Sequence, residues 1–115
     1  MALIAASSPA FADASAECKM EKAADQAGAL LQRADFAKSK NDFRSAAEFL
    51  AQGLAELHDY YLATPTPPML DDSGMHLVLA DSADQRGDSK LAAMIRRSVL
   101  VDRLGLFKQF HHQSC

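Results

Sequence analysis

Apolar side chains recur at steps of three and four residues along most of the chain, and no other feature of the sequence limits the possible folds as much. Between Ala16 and Ala37 these positions fall on one stripe of a helix. The stripe consists of Met20, Ala23, Ala24, Ala27, Leu30, Leu31, Ala34 and Ala37. No β-branched residue occurs between Ala5 and Thr64, which favours helix over strand. The spacing therefore predicts a long first helix.

Three further helices are expected from their start and stop signals. Asn41 or Asp42 is a candidate N-cap for the second helix, and the proline-rich residues 64–68 end it. A residue within 71–73 caps a shorter third helix, which Gly87 ends. Asp88 or Ser89 then caps the fourth helix. The apolar stripes are Phe43, Ala46, Ala47, Leu50, Leu54, Leu57 and Tyr61 in the second helix, Leu77, Ala80 and Ala83 in the third, and Leu91, Ile95, Val99, Leu106, Phe107 and Phe110 in the fourth.

The chain also matches itself when it is shifted by 46 residues. Eight identities occur across the 24 positions from Leu31 to Leu54. They pair Leu31, Ala34, Asp35, Ala37, Asp42, Ala46, Ala47 and Leu54 with Leu77, Ala80, Asp81, Ala83, Asp88, Ala92, Ala93 and Leu100. Each copy predicts a helix, a tight turn with a capping Asp, and a second helix that begins with small alanines. The fold class is therefore all-α.

These units resemble tetratricopeptide repeats over about 60 residues. The resemblance rests on the turns, 41–43 with Ala46 and 87–89 with Ala92, and on the small residues Ala34 and Ala80 in the first helix of each pair. Leu30 and His76 stand where that family carries an aromatic residue, Pro65 comes late, and the spacing of 46 residues exceeds the usual period of about 34. The resemblance implies two antiparallel helical hairpins. A closed four-helix bundle is the alternative.

The first twelve residues have the composition of the end of a secretory leader. Ala10 and Ala12 form an A-x-A site after Ser7, Ser8 and Pro9, although no Lys or Arg precedes the apolar residues. We expect 1–12 to be the remnant of a signal peptide and 13–115 to form a single helical domain that is periplasmic or secreted. The alternative for 1–12 is an irregular Ala/Ser-rich tail.

The two cysteines lie at opposite ends of the expected mature domain. An even cysteine count in a small exported domain predicts a disulfide, here between Cys18 and Cys115. In the chain-entropy model, a loop of this length stabilises the fold by about 4 to 5 kcal/mol. Two free thiols are the alternative.

Candidate partner-binding residues are basic or aromatic. The fourth helix carries Arg96, Arg97 and Arg103, and its only acidic residue is Asp102; acidic residues recur at four-residue steps in the first helix. This basic face either docks an acidic partner or complements the other helices. Tyr60 and Tyr61 flank the proline-rich segment, and tyrosine is favoured at interfaces.

Several other functions lack a sequence signal. The five glycines are isolated, so no phosphate-binding loop is present, and no G-x-S-x-G or H-E-x-x-H motif occurs. His111 and Cys115 are four residues apart, but two ligands make an incomplete metal site, so a polar tail is the preferred interpretation. A net charge of -3 argues against a nucleic-acid binder. The sequence contains no run of about 18 apolar residues, which is the length that a membrane-spanning helix requires.

Together these observations predict an exported, non-catalytic protein-interaction module without a cofactor, metal site or catalytic residues. Its partner would be another envelope protein or peptide, with the module serving as an adaptor or as an inhibitor of the immunity type. A periplasmic protein that binds a small ligand or a metal is the alternative, and an enzyme is a third hypothesis.

Overall fold

The computed structural model describes residues 14–62 and 73–108, and these form four helices. The helices are α1 (Ala14–Ser39), α2 (Phe43–Leu62), α3 (Ser73–Gln85) and α4 (Ser89–Lys108). No strand occurs in the described residues. The prediction of an all-α fold with four helices is confirmed.

The turn between α1 and α2 ends one helix and begins the next within three residues. The backbone N–H groups of Asp42 and Asn41 donate to the carbonyl oxygens of Ala37 and Lys38, both at 2.9 Å, which is the Schellman arrangement. Asn41 has the required positive φ of 62°. Asp42 Oδ1 then accepts the N–H of Ser45 at 3.2 Å. Of the two candidates from the sequence, Asn41 and Asp42, it is therefore Asp42 that is the N-cap of α2.

The turn between α3 and α4 repeats this pattern 46 residues later. Asp88 and Gly87 donate their N–H groups to the carbonyls of Ala83 and Asp84, at 2.8 Å and 2.9 Å. Gly87 has a φ of 82°. Asp88 Oδ1 caps α4 by accepting the N–H of Leu91 at 3.1 Å. The two segments that match each other in sequence therefore have the same turn geometry.

The core consists mainly of alanines, with a few large side chains between them. The largest fully buried side chains are Leu50, Leu57 and Leu100. The buried alanines are Ala23, Ala27, Ala34, Ala37, Ala46, Ala47, Ala80, Ala83, Ala92 and Ala93. Because alanine side chains are short, helix backbones that meet at them approach closely.

The two hairpins pack against each other mainly through α2 and α4. These two helices run in the same direction, because Lys90 Nζ lies 5.4 Å from the centre of the Phe43 ring and Arg96 contacts the carbonyl of Ala47. A Cβ atom added to Gly53 would lie only 3.0 Å from Leu100 Cδ2. A side chain at position 53 would therefore force Leu100 to shift where α2 and α4 approach closely.

The third helix lies at one edge of the described structure. Its main contacts are with α4, whereas α4 also contacts α2 and, less extensively, α1. The described residues thus form two hairpins joined through α4, with the outer side of α3 left uncovered.

Several sequence predictions concern residues outside the described ranges. These are the leader remnant 1–12, the proline-rich residues 64–68, the segment 111–115 and Cys115. The division into 1–12 and 13–115 and the Cys18–Cys115 disulfide stay predictions.

The two turns predict opposite effects of substitution at equivalent positions. Replacing Gly87, at φ 82°, with Ala is expected to lower the free energy of unfolding by about 1 kcal/mol, because a Cβ atom is unfavourable at positive φ. Asn41→Gly should leave stability unchanged or raise it by a few tenths of a kcal/mol, since glycine fits this conformation better. Urea denaturation followed by circular dichroism measures both, and a loss of stability in Asn41→Gly similar to that in Gly87→Ala would contradict the assigned turns.

Candidate functional site

The buried guanidinium of Arg96 links three helices. Arg96 as a whole residue is only 6% exposed to solvent. Nη2 donates to Asp81 Oδ1 at 2.8 Å, and Nη1 lies 2.6 Å from Asp84 Oδ2, both on α3. Nη1 also donates to the carbonyl oxygen of Ala47 on α2 at 3.2 Å. Burial lowers the pKa of Arg96, but the two carboxylates outweigh it and leave the pKa above its ordinary value. Arg96 therefore remains charged and joins α3 to the hairpin interface.

The neighbouring Arg97 forms the polar link between α4 and α1. Its Nε and Nη2 atoms donate to the two carboxylate oxygens of Asp35 at 2.8 Å and 3.0 Å. The hydrogen bond from Arg97 lowers the pKa of Asp35, against a smaller opposing effect of burial. Both side chains are about two-fifths exposed, so the geometry is specific but solvent weakens the attraction.

Arg103 contributes a third contact within the chain. Its residue is 6% exposed, and Nη2 donates to Ser73 Oγ at the start of α3 at 2.9 Å. Arg96 and Arg103 occupy positions 46 residues after Leu50 and Leu57. The second half of the chain therefore places long cationic side chains where the first half has fully buried leucines.

This arrangement differs from a basic face made of all three arginines. Arg96 and Arg103 are buried, and Arg97 is held by Asp35. These contacts agree with the second interpretation of the charge pattern, in which the basic residues of α4 complement the other helices. Tyr60 is half-buried against the core, and the side chain of Tyr61 lies outside the described residues. Partner binding by Arg96, Arg97, Arg103, Tyr60 and Tyr61 stays a prediction.

An open groove runs between α1 and α4, with a volume of about 900 Å³. We call it the α1–α4 groove. It is lined by Met20, Glu21, Ala24, Asp25, Gly28, Ala29, Leu31 and Gln32 of α1 and by Val101, Leu104 and Gly105 of α4. Most of these side chains are apolar or small, and Val101 is 40% exposed. The lining forms a concave apolar surface with polar edges, which suits a ligand or a polypeptide segment.

Two glycines on opposite walls of this groove have no role in the packing of the described residues. A Cβ atom at Gly28 or Gly105 would meet nothing within 4 Å in that part of the chain, in contrast to Gly53. Glycine within a helix is less favourable than alanine by about 1 kcal/mol. The packing of the described residues therefore requires glycine at neither position.

A second apolar surface lies on the outer side of α3. Met75, Val78 and Leu79 are 71%, 65% and 54% exposed. They follow the i, i+3, i+4 spacing that places side chains on one face of a helix. Together they form an exposed apolar strip along α3.

Residues 14–62 and 73–108 contain no group of three or more His, Cys, Asp or Glu side chains placed to hold a metal ion. None of the four helices has a stretch that is both long enough and apolar enough for a membrane span.

Comparison of the chain with protein-family models, with curated proteins and with solved structures finds no match.

Single substitutions of the adjacent residues Arg96 and Arg97 should lower the free energy of unfolding by unequal amounts. Arg96→Ala is expected to lower the free energy of unfolding by about 2 to 3 kcal/mol, because it removes a buried side chain and its contacts to α2 and α3. Arg97→Ala should lower it by at most about 1 kcal/mol, since its ion pair is half-exposed. Urea denaturation of both variants measures the difference, and equal losses would show that Arg96 does not have the structural role assigned to it.

The Asp35–Arg97 pair also predicts a pH dependence. Because Arg97 lowers the folded-state pKa of Asp35, the pair stabilises the fold above the unfolded-state pKa, which is about 4. This contribution is lost as the pH falls from there through the folded-state pKa. The difference in free energy of unfolding between wild type and Arg97→Gln should be constant above about pH 5 and shrink below about pH 4. A difference independent of pH from about 6 to 3 would contradict this account.

Proposed function

We propose that this chain is an exported, non-catalytic protein-interaction module that binds a partner polypeptide in the α1–α4 groove. The partner would be another envelope protein or peptide, and the module would act on it as an adaptor or as an inhibitor of the immunity type. The observation that supports the proposal most is the groove itself. It combines an exposed apolar lining with two glycines that the packing of the described helices does not require.

Burial of apolar surface is the main source of affinity between proteins. In the groove, Val101 is partly exposed, while Leu31 and Leu104 are partly buried against the core. These side chains are therefore held by the core on one side and remain accessible on the other. A partner segment that covers them gains apolar burial without requiring the hairpins to rearrange, which lowers the entropic cost of binding.

The proposed location is supported by the sequence. The A-x-A site formed by Ala10 and Ala12 is typical of signal-peptide cleavage. The placement of Cys18 and Cys115 near the two ends of the expected mature domain suits an oxidising compartment. The resemblance to tetratricopeptide repeats is supported by the shared turn geometry at Asn41 and Gly87, and peptide binding by helical hairpins agrees with this proposal.

The proposal predicts a cross-link that depends on the groove. The photoreactive amino acid p-benzoylphenylalanine is introduced at Val101, which lines the groove, or at Glu48, an exposed residue of α2 that does not. After illumination of cells of the source organism, the probe at Val101 should give a discrete adduct with another protein. The probe at Glu48 is the matched control and should not give that adduct.

Gly28→Leu provides a second control, because a larger side chain would fill the groove from the α1 wall. It should reduce the adduct formed at Val101. The same adduct from both probe positions, or no adduct from Val101, would contradict the proposal.

A small apolar ligand in the same groove is the second candidate, because a volume of about 900 Å³ lies within the range of ligand pockets. Native mass spectrometry of the purified chain distinguishes the two. A bound small molecule that is lost in Gly28→Leu would favour this candidate over a polypeptide partner.

A further inference from the structure

We infer that the polypeptide bound in the α1–α4 groove extends beyond the Asp35–Arg97 pair and inserts one apolar side chain, with an acidic residue beside it, into a cavity between α1, α2 and α4. We call this space the anchor cavity. The inference rests on the proposed function and names the chemistry of the partner. Three features carry it: the apolar interior of the cavity, the cationic residues at its rim, and its position in line with the groove.

The interior of the anchor cavity is apolar and small. Its volume is about 90 Å³. The apolar residues that line it are Ala34, Phe43, Ala46, Leu50, Ala93 and Met94. A cavity of about 150 Å³ holds a benzene molecule, so this smaller space suits a single aliphatic side chain. Met94 is 64% exposed, and its flexible thioether can pack over the inserted side chain.

The charged residues that line the cavity leave two positive charges without a carboxylate partner. These residues are Asp35, Lys38, Lys90 and Arg97. Asp35 and Arg97 are joined by two hydrogen bonds. Lys38 and Lys90 are both exposed, and neither forms an ion pair within the described part of the chain. The Lys90 ammonium lies 5.4 Å from the centre of the Phe43 ring, beside the apolar interior.

The acidic residues of the two adjoining turns do not neutralise this rim. Asp42 and Asp88 are not among the residues that line the cavity. Their carboxylates accept the N–H groups of Ser45 and Leu91 as helix caps. A partner that places an acidic residue next to its inserted apolar side chain is therefore complementary to the cavity in both charge and polarity.

The anchor cavity continues the α1–α4 groove along both helices. On α4, Arg97 of the cavity lies one turn before Val101 of the groove. On α1, Ala34 of the cavity follows Leu31 of the groove at the three-residue spacing of one helix face. The cavity residues thus precede the groove residues on α4 and follow them on α1, as expected for antiparallel helices. The Asp35–Arg97 pair lies at the boundary between the two spaces.

One polypeptide segment is long enough to occupy both spaces. Their lining on α1 extends from Met20 to Lys38, which corresponds to about 27 Å along the helix axis. A segment of about 8 extended residues or about 18 helical residues covers this distance.

The test uses a phage-displayed library of random peptides of about 20 residues, selected on the immobilised full chain. Binding of each selected clone is compared between wild type, Gly28→Leu, which fills the groove, and Ala93→Leu, which fills the cavity. Gly74→Leu is the matched control, because Gly74 lies on α3 and lines neither space. Circular dichroism checks that the variants are folded.

Two charge variants test the rim without changing a buried residue. They are Lys38→Glu and Lys90→Glu, since both lysines are exposed. Lys40→Glu is the matched control, because it is an exposed lysine of the same turn that does not line the cavity.

We expect clones that lose binding in Gly28→Leu to lose it also in Ala93→Leu, and to share a Val, Leu, Ile or Met next to an Asp or Glu. Binding of a synthetic copy should weaken several-fold in each rim variant and with added salt, but not in Lys40→Glu. Replacing the acidic residue of the peptide with Lys should restore binding to Lys90→Glu.

The results that would overturn the inference differ in what they imply for the proposed function. Clones that depend on the groove but not on the cavity or its rim would refute the inserted side chain and leave polypeptide binding in the groove intact. Clones that depend on both spaces but have neutral or basic residues beside the apolar one would refute the acidic partner alone. Clones that depend on the cavity alone would show a separate site, and a selection with no clone that depends on either space would refute both proposals.

A second copy of this chain as the occupant gives a different result. It would appear as a dimer in analytical ultracentrifugation that is lost in Ala93→Leu, and this result would also overturn the inference.

Discussion

The close parallel packing of α2 and α4 is the contact on which the rest of the structure depends. It places Gly53 against Leu100 and joins the two hairpins through equivalent helices. Since α3 contacts mainly α4, and α1 contacts mainly α2, each outer helix is attached to the fold through one inner helix. The open surfaces of the molecule, the α1–α4 groove and the outer face of α3, follow from this arrangement.

Polar contacts fix how the helices are placed around this interface. Arg96 joins α4 to α3 and α2, and Arg97 joins it to α1. A core composed largely of alanine contains few interlocking large side chains to specify one arrangement. Ion pairs with defined geometry provide such specificity even where they add little net stability.

The sequence predicts helices and turns well because their signals are local. The alanine-rich stripes and the helix caps depend only on residues a few positions apart. The sequence narrowed each cap to two neighbouring residues, and the structure places the caps at Asp42 and Asp88. The burial of Arg96 and Arg103 could not be predicted in this way, because it depends on how α3 and α4 pack. A partial signal was present: the match at 46 residues aligns these arginines with the core residues Leu50 and Leu57. The sequence contained only a weak indication of the groove, namely the glycines Gly28 and Gly105 within two helices. Only the structure shows that these two glycines lie on opposite walls of one groove.

Hydrogen exchange monitored residue by residue tests most directly whether the interface between α2 and α4 holds the molecule together. Amides in the centres of α2 and α4, around Leu54 and Leu100, should exchange slowest and with similar free energies of opening. Those of α3 should exchange faster, because α3 can separate from α4 without disrupting that interface. If α3 were protected as strongly as α4, or if the hairpin of α1 and α2 remained protected while α4 exchanged freely, the interface would not have the central role described here.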